Sequence, residues 1–97
     1  MTPFRLRYTS AAAESIRHLQ PAVKQAVREA LRSLAGEPER GHALVLELAG
    51  FRSLRVSRYR VIYRIQDSER VIEIHLVGAR KSIYEAFHDL LEQRTAT

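Results

Sequence analysis

Cysteine is absent from this chain of 97 residues, so no disulfide holds the fold, a composition compatible with a reducing cytosol. No stretch approaches the roughly 20 consecutive apolar residues of a membrane-spanning helix. The first eight residues, Met1 to Tyr8, carry two arginines among apolar side chains, without the apolar run and small-residue cleavage site of a signal peptide. A glycine-rich phosphate loop and a nucleophile elbow are missing, and His18, His42 and His88 show no metal-ligand spacing. These gaps direct the reading to a soluble, cytoplasmic protein with no cofactor, no bound metal and no membrane partner. The most telling absence is local: from Gly50 to Gln66 there is no acidic residue.

Arginine fills that acid-free stretch. Arg52, Arg55, Arg58, Arg60 and Arg64 alternate there with residues that favour β-strands, while the remaining eleven basic residues are balanced by eleven acids. The formal net charge of +5 therefore originates in one strand-forming segment. Local charge of this kind suits a surface that meets phosphates, although an acidic protein partner would satisfy it too. With 45% apolar residues the chain can bury one core, and residues 1–97 read as a single domain.

The hydrophobic period orders that domain. Phe4, Leu6 and Tyr8 alternate with Arg5 and Arg7 as in a strand with one buried face. Thr9 or Ser10 offers an N-cap for a short helix edged by Ile16 and Leu19. Pro21 suits the first position of a second helix, whose Val23, Val27, Ala30, Leu31 and Leu34 share a face, and Gly36 followed by Pro38 ends it. Residues 37 to 50 read as an irregular connection. Strand periodicity resumes at Phe51, turns at Ser57-Arg58, continues from Tyr59 to Gln66, turns again at Asp67-Ser68-Glu69 and runs from Arg70 to Val77. Gly78 breaks the strand, and a last helix begins at about Ser82, with Ile83, Phe87, Leu90 and Leu91 along one side. The fold class is α+β: an N-terminal strand, a helix hairpin, an antiparallel sheet with one basic open face, and a C-terminal helix.

Strand parity places Phe4, Leu6, Tyr8, Leu54, Val56, Ile72, Ile74 and Leu76 toward the helix hairpin, with Tyr59, Val61, Tyr63 and Ile65 joining them from the middle strand. Arg5, Arg7, Ser53, Arg55, Arg60, Ile62, Arg64, Glu73 and His75 then lie on the opposite, open face. Arginine alternating with apolar residues is also what a solvated sheet face looks like. Several arginines with only Glu73 to neutralise them favour an anion-binding floor instead. Arg52 and Arg58 sit at its periphery. Arg80, Lys81 and Tyr84 fall at the strand-to-helix junction, where they can close one end of the floor; a core role for the Tyr84 ring and a capping role for Arg80 are the alternatives.

Two motifs carry a resemblance. Leu54-Arg55-Val56-Ser57-Arg58-Tyr59-Arg60-Val61-Ile62-Tyr63-Arg64-Ile65 is similar to the Arg-Val-Gly-x-Tyr-Arg-Val-Ile-Tyr core of the RelE/ParE superfamily of bacterial type II toxins. Val77-Gly78-Ala79-Arg80-Lys81-x-x-Tyr84 resembles its RelE-like branch. The resemblance implies a RelE-like fold and a metal-independent endoribonuclease that cuts mRNA in the ribosomal A site and is held inactive by a cognate antitoxin, with the toxin–antitoxin complex binding operator DNA. It implies catalytic roles for Arg55, Arg60, Arg80 and Tyr84, with Arg52, Arg58, Arg64, His75 and Lys81 contacting RNA. Ser53 and Ala79 stand where many relatives have basic residues, which weakens catalysis or shifts the burden of the base to Tyr84 or His75; a solvated or hydrogen-bonded histidine is the other reading of His75. A gyrase-blocking toxin like ParE, and an inactive relative that only binds antitoxin, are the competing expectations.

Overall fold

The computed structural model describes residues 3–95. In chain order the elements are β1 (Arg5–Tyr8), α1 (Ser10–Arg17), α2 (Pro21–Gly36), β2 (His42–Ala43), β3 (Arg52–Val56), β4 (Tyr59–Gln66), β5 (Val71–Ala79) and α3 (Ile83–Thr95). Short 3-10 turns at Pro38–Arg40, Leu46–Leu48 and Asp67–Glu69 join them. The strands form one sheet in the order β1-β5-β4-β3-β2, parallel between β1 and β5 and antiparallel elsewhere. The α+β expectation and its order of elements are met, and residues 37–50 resolve into two 3-10 turns around the two-residue edge strand β2.

Local chemistry explains the boundaries. Thr9 caps α1, its hydroxyl accepting from the Ala12 N–H at 3.1 Å. Pro21 opens α2, where a missing N–H costs nothing. Val56 pairs with Tyr59, so Ser57 and Arg58 form a two-residue hairpin turn, with Ser57 at φ +55° in place of the usual glycine. Beyond Tyr8 the outer edge of β5 loses its strand partner, and α1 satisfies it with side chains. Thr9 Oγ1 donates to the His75 carbonyl at 3.1 Å, and the Val77 N–H donates to Ser15 Oγ at 3.1 Å.

Two cores sandwich the sheet. Against the α1–α2 hairpin lie Leu54, Val56, Val61, Tyr63, Ile72, Ile74 and Val77, packed on Ala12, Val27, Leu31 and Leu34. On the other face Ile62 packs with Ile83 and Phe87 of α3, supported by Phe51, Leu76, Leu44 and Leu48. This second core corrects the expectation of an open basic face, because the apolar side of α3 covers its middle. Ile83 lies over Gly78 and Phe87 over His75, so α3 runs back along β5. A Cβ added to Gly78 would come 2.8 Å from Ile83 Cδ1, which is why the strand can meet the helix so closely there.

A β-bulge corrects the parity of β5. Ile62 pairs with Leu76 but Tyr63 pairs with Ile74, leaving His75 as the extra residue. Beyond the bulge the alternation resets: Val77 turns inward to the hairpin core, and Leu76, expected there, turns to α3. Tyr8, expected in the same core, is 44% exposed. Among the described residues no helix is long and apolar enough to cross a membrane.

Candidate functional site

The β3–β4 hairpin and the end of β5 bring the basic side chains together. Arg55 and Arg60 are direct partners across β3 and β4, Arg60 lies opposite Gly78, and Tyr59 lies opposite Ala79. The Arg80 N–H then donates to the Arg58 carbonyl at 2.8 Å, tying the strand-to-helix junction to the hairpin turn. A hollow of about 460 Å³ is lined there by Arg58, Ala79, Arg80 and Lys81. The two sequence motifs, separated in the chain by residues 66–76, are thus one surface.

Pairing separates this cluster from Arg7 and Arg64. Arg7 bridges Glu69 at 3.2 Å and Glu73 at 3.0 Å, and Arg64 approaches Glu73 at 3.5 Å while its guanidinium lies 5.5 Å from the centre of the Phe51 ring. Among the described residues Arg55, Arg58, Arg60, Arg80 and Lys81 have no acidic partner within salt-bridge distance. Arg60 is half-buried, and its Nη1 is buried without a hydrogen-bond partner. A buried donor left open in this way gains strongly from an anion placed within reach.

Tyr84, in the first turn of α3, completes the site. Its ring packs with the Ile62–Ile83–Phe87 core, and its hydroxyl lies 2.9 Å from Ser53 Oγ. Ser53 is 3% exposed, on the same face of β3 as Arg55. Read in the sequence only as a missing base, Ser53 is therefore the partner of the tyrosine. The signal for that role was in the parity, which placed Ser53 on Arg55's face; what could not be seen was α3 laying Tyr84 across it.

Three expected contacts lie elsewhere. Arg52, expected at the rim of the floor, donates from Nη2 to the carbonyls of Glu39 at 3.0 Å and Gly41 at 2.6 Å, and so pins the connection before β3. Arg64 is held by Glu73 and Phe51. His75, expected on the open face, is 3% exposed beneath α3, with its ring edge-on to Phe51 and Phe87. Its Nε2 meets Glu73 Oε1 at 2.7 Å and its Nδ1 is buried without a partner. Burial holds the imidazole below its usual pKa, against the opposing pull of Glu73. For Glu73, burial alone would raise the carboxyl, but hydrogen bonds from His75 and Arg7 outweigh it and hold the group low. His75 is thus a core residue rather than a ligand contact. His88, read as having no ligand spacing, does bring its ring nitrogen within 4.8 Å of carboxylate oxygens of Asp89 and Glu92 on α3.

Chemically, the site offers several permanent cations and one fixed phenol hydroxyl. Such a set is suited to phosphate charge, and among the described residues it includes no carboxylate or imidazole.

The chain is similar to known proteins in sequence and in fold. Residues 6–84 match the sequence model of the family described as "ParE toxin of type II toxin-antitoxin system, parDE". The toxin RelG of Mycobacterium tuberculosis is 39% identical over 84 residues, covering 84% of this chain and 97% of that protein. A chain from the crystal structure of the RelBE2 toxin–antitoxin complex of M. tuberculosis superposes with a TM-score of 0.76 at 38% identity, over 82% of this chain and 94% of that one. The isolated E. coli RelE toxin shares the fold, with a TM-score of 0.69 at 19% identity over 91% of this chain and 98% of that one.

Proposed function

The chain belongs to the RelE/ParE superfamily of type II toxins, and from that membership we propose that it is an endoribonuclease acting on mRNA in the ribosomal A site. The observation that supports this reading best is the unpaired cluster of Arg55, Arg60 and Arg80 beside a tethered Tyr84.

In the proposed reaction the ribose 2′-oxygen attacks the adjacent phosphorus and the bond from phosphorus to O5′ breaks, leaving a 2′,3′-cyclic phosphate and a 5′-hydroxyl. One proton leaves the 2′-OH and one reaches O5′. Arg55 and Arg60 hold the scissile phosphate and, with Arg80, stabilise the added negative charge on its oxygens as the transition state forms. Tyr84 orients the 2′-OH or stacks on the base. Arg58 and Lys81 contact flanking phosphates.

An antitoxin completes the system, as in the RelBE2 complex of the M. tuberculosis relative. Its acidic or amphipathic segment, ordering on binding, would cover the arginine cluster or displace α3, and the joint complex would bind operator DNA. The second reading, a gyrase-blocking toxin, is favoured by the family model itself, which describes a ParE toxin.

Primer extension on translating ribosomes separates the two. Wild-type protein is expected to produce defined mRNA breaks, and Arg80→Ala or Tyr84→Phe to reduce their rate about a hundredfold or more. Intact mRNA together with trapped gyrase–DNA breaks would establish the second reading instead.

A further inference from the structure

The bond between Ser53 and Tyr84 has a functional consequence that the cation cluster alone does not carry. Tyr84 stands just after the turn that follows β5, and its ring is only half-buried. Packing against the Ile62–Ile83–Phe87 core restrains the ring on one side, and a bond to its oxygen restrains it further. Ser53 is the only described side chain bonded to that oxygen, and Tyr84 is likewise the only described partner of the Ser53 hydroxyl. Ser53 projects from β3, hydrogen-bonded within the sheet between β2 and β4. A buried serine hydroxyl without a partner is costly, so the two groups hold each other.

Strand geometry gives the tether its direction. Ser53 and Arg55 are two residues apart on one face, about 7 Å along the strand, and Arg60 is the cross-strand partner of Arg55. The tether therefore sets the phenol oxygen at the inner end of the arginine line. Either hydroxyl can be the donor. When Ser53 donates, the O–H of Tyr84 is left free to point at a bound nucleotide.

We infer that Ser53 is a positioning residue for the RNA-cleaving reaction, acting through the hydroxyl of Tyr84. This rests on the nuclease reading above and adds to it a buried residue that touches no substrate. Replacement by alanine preserves the volume nearly unchanged, so Ser53→Ala retains the fold while releasing the phenol.

The test is a double-mutant cycle in single-turnover mRNA cleavage on programmed ribosomes, with thermal unfolding run alongside to confirm that each variant is folded. Ser53→Ala is expected to lower kcat about tenfold with KM unchanged, and to cause no further loss when added to Tyr84→Phe. Wild-type kcat in Ser53→Ala, a rise in KM with kcat retained, or losses that multiply in the double variant would each overturn the inference while leaving the nuclease reading standing. A wild-type protein that leaves mRNA intact overturns that reading, and this inference with it.

Discussion

His75 shows how one residue's surroundings decide its role. Its Nε2 is hydrogen-bonded to Glu73 and its Nδ1 faces no acceptor beneath Phe51 and Phe87, so a second ring proton would be buried without a partner. Arg64, and Arg94 on α3, add positive charge nearby. The neutral ring is therefore favoured in the folded state. A histidine harder to protonate when folded contributes its stability in full above the unfolded value of 6.5 and loses it as pH falls toward the lower folded value. Glu73 acts lower down: held below 4.5, it contributes above that value and its contribution is lost as pH falls further. The unfolding midpoint is accordingly expected to be level above about pH 7, to fall as pH drops through the range below 6.5, and to fall again below 4.5. In His75→Gln, scanning calorimetry across this range should show the first decline removed and the second lessened, since Glu73 then keeps only its bond from Arg7 of the two that hold it low.

At the level of elements, the connection between α2 and β3 is held by polar clips in place of regular structure. Tyr63, fully buried on β4, donates its hydroxyl proton to the Pro38 carbonyl at 2.7 Å and accepts from the Gly41 N–H at 3.0 Å. Arg52 adds two bonds to carbonyls of the same segment. Space is tight as well as polar: a Cβ on Gly41 would fall 2.7 Å from both the Ser53 carbonyl oxygen and the Tyr63 hydroxyl. Tyr63→Phe leaves the Gly41 N–H and the Pro38 carbonyl without their partner and is expected to destabilise the fold by about 1–3 kcal/mol. Chemical denaturation measures the loss. Hydrogen exchange should place the loosening in residues 37–50.

For the whole molecule, two sets of cations on one sheet differ in their pairing. At the end where β1 meets β5, Arg7 and Arg64 are neutralised by Glu69 and Glu73. At the β3–β4 turn Arg55, Arg58, Arg60, Arg80 and Lys81 have no such partners among the described residues. Only the second set should release counterions from RNA. For about four phosphates contacted by a single strand, the logarithm of affinity should fall with the logarithm of salt concentration at a slope of about −3. Arg58→Ala should lessen that slope by about 0.7, whereas Arg7→Ala should leave it unchanged. Fluorescence anisotropy with a short single-stranded RNA at several salt concentrations measures both slopes; equal effects of the two variants would show that the division of charge does not govern binding.

Much of this was legible in the chain itself, because it depends on neighbours in sequence. The 3.6-residue and two-residue periods, the Pro21 start, the Ser57-Arg58 turn and the acid-free arginine segment are local patterns, and each reappears in the structure. Alternation also told which face Arg55, Arg60 and Ser53 share. What sequence could not decide was anything that one element imposes on another. The bulge at His75 reset the parity of β5 and moved Leu76 to the opposite core. The apolar side of α3, visible as Ile83 and Phe87, had no address until it covered the face that arginines alone marked as open. That docking buried His75 and joined Tyr84 to Ser53; the carbonyls of Glu39 and Gly41 took up Arg52, and Glu73 took up Arg64, which left the hairpin end of the basic stretch without acidic partners among the described residues. Periodicity is a property of a segment, whereas burial and pairing belong to the packed molecule, and the candidate site is made of the second kind.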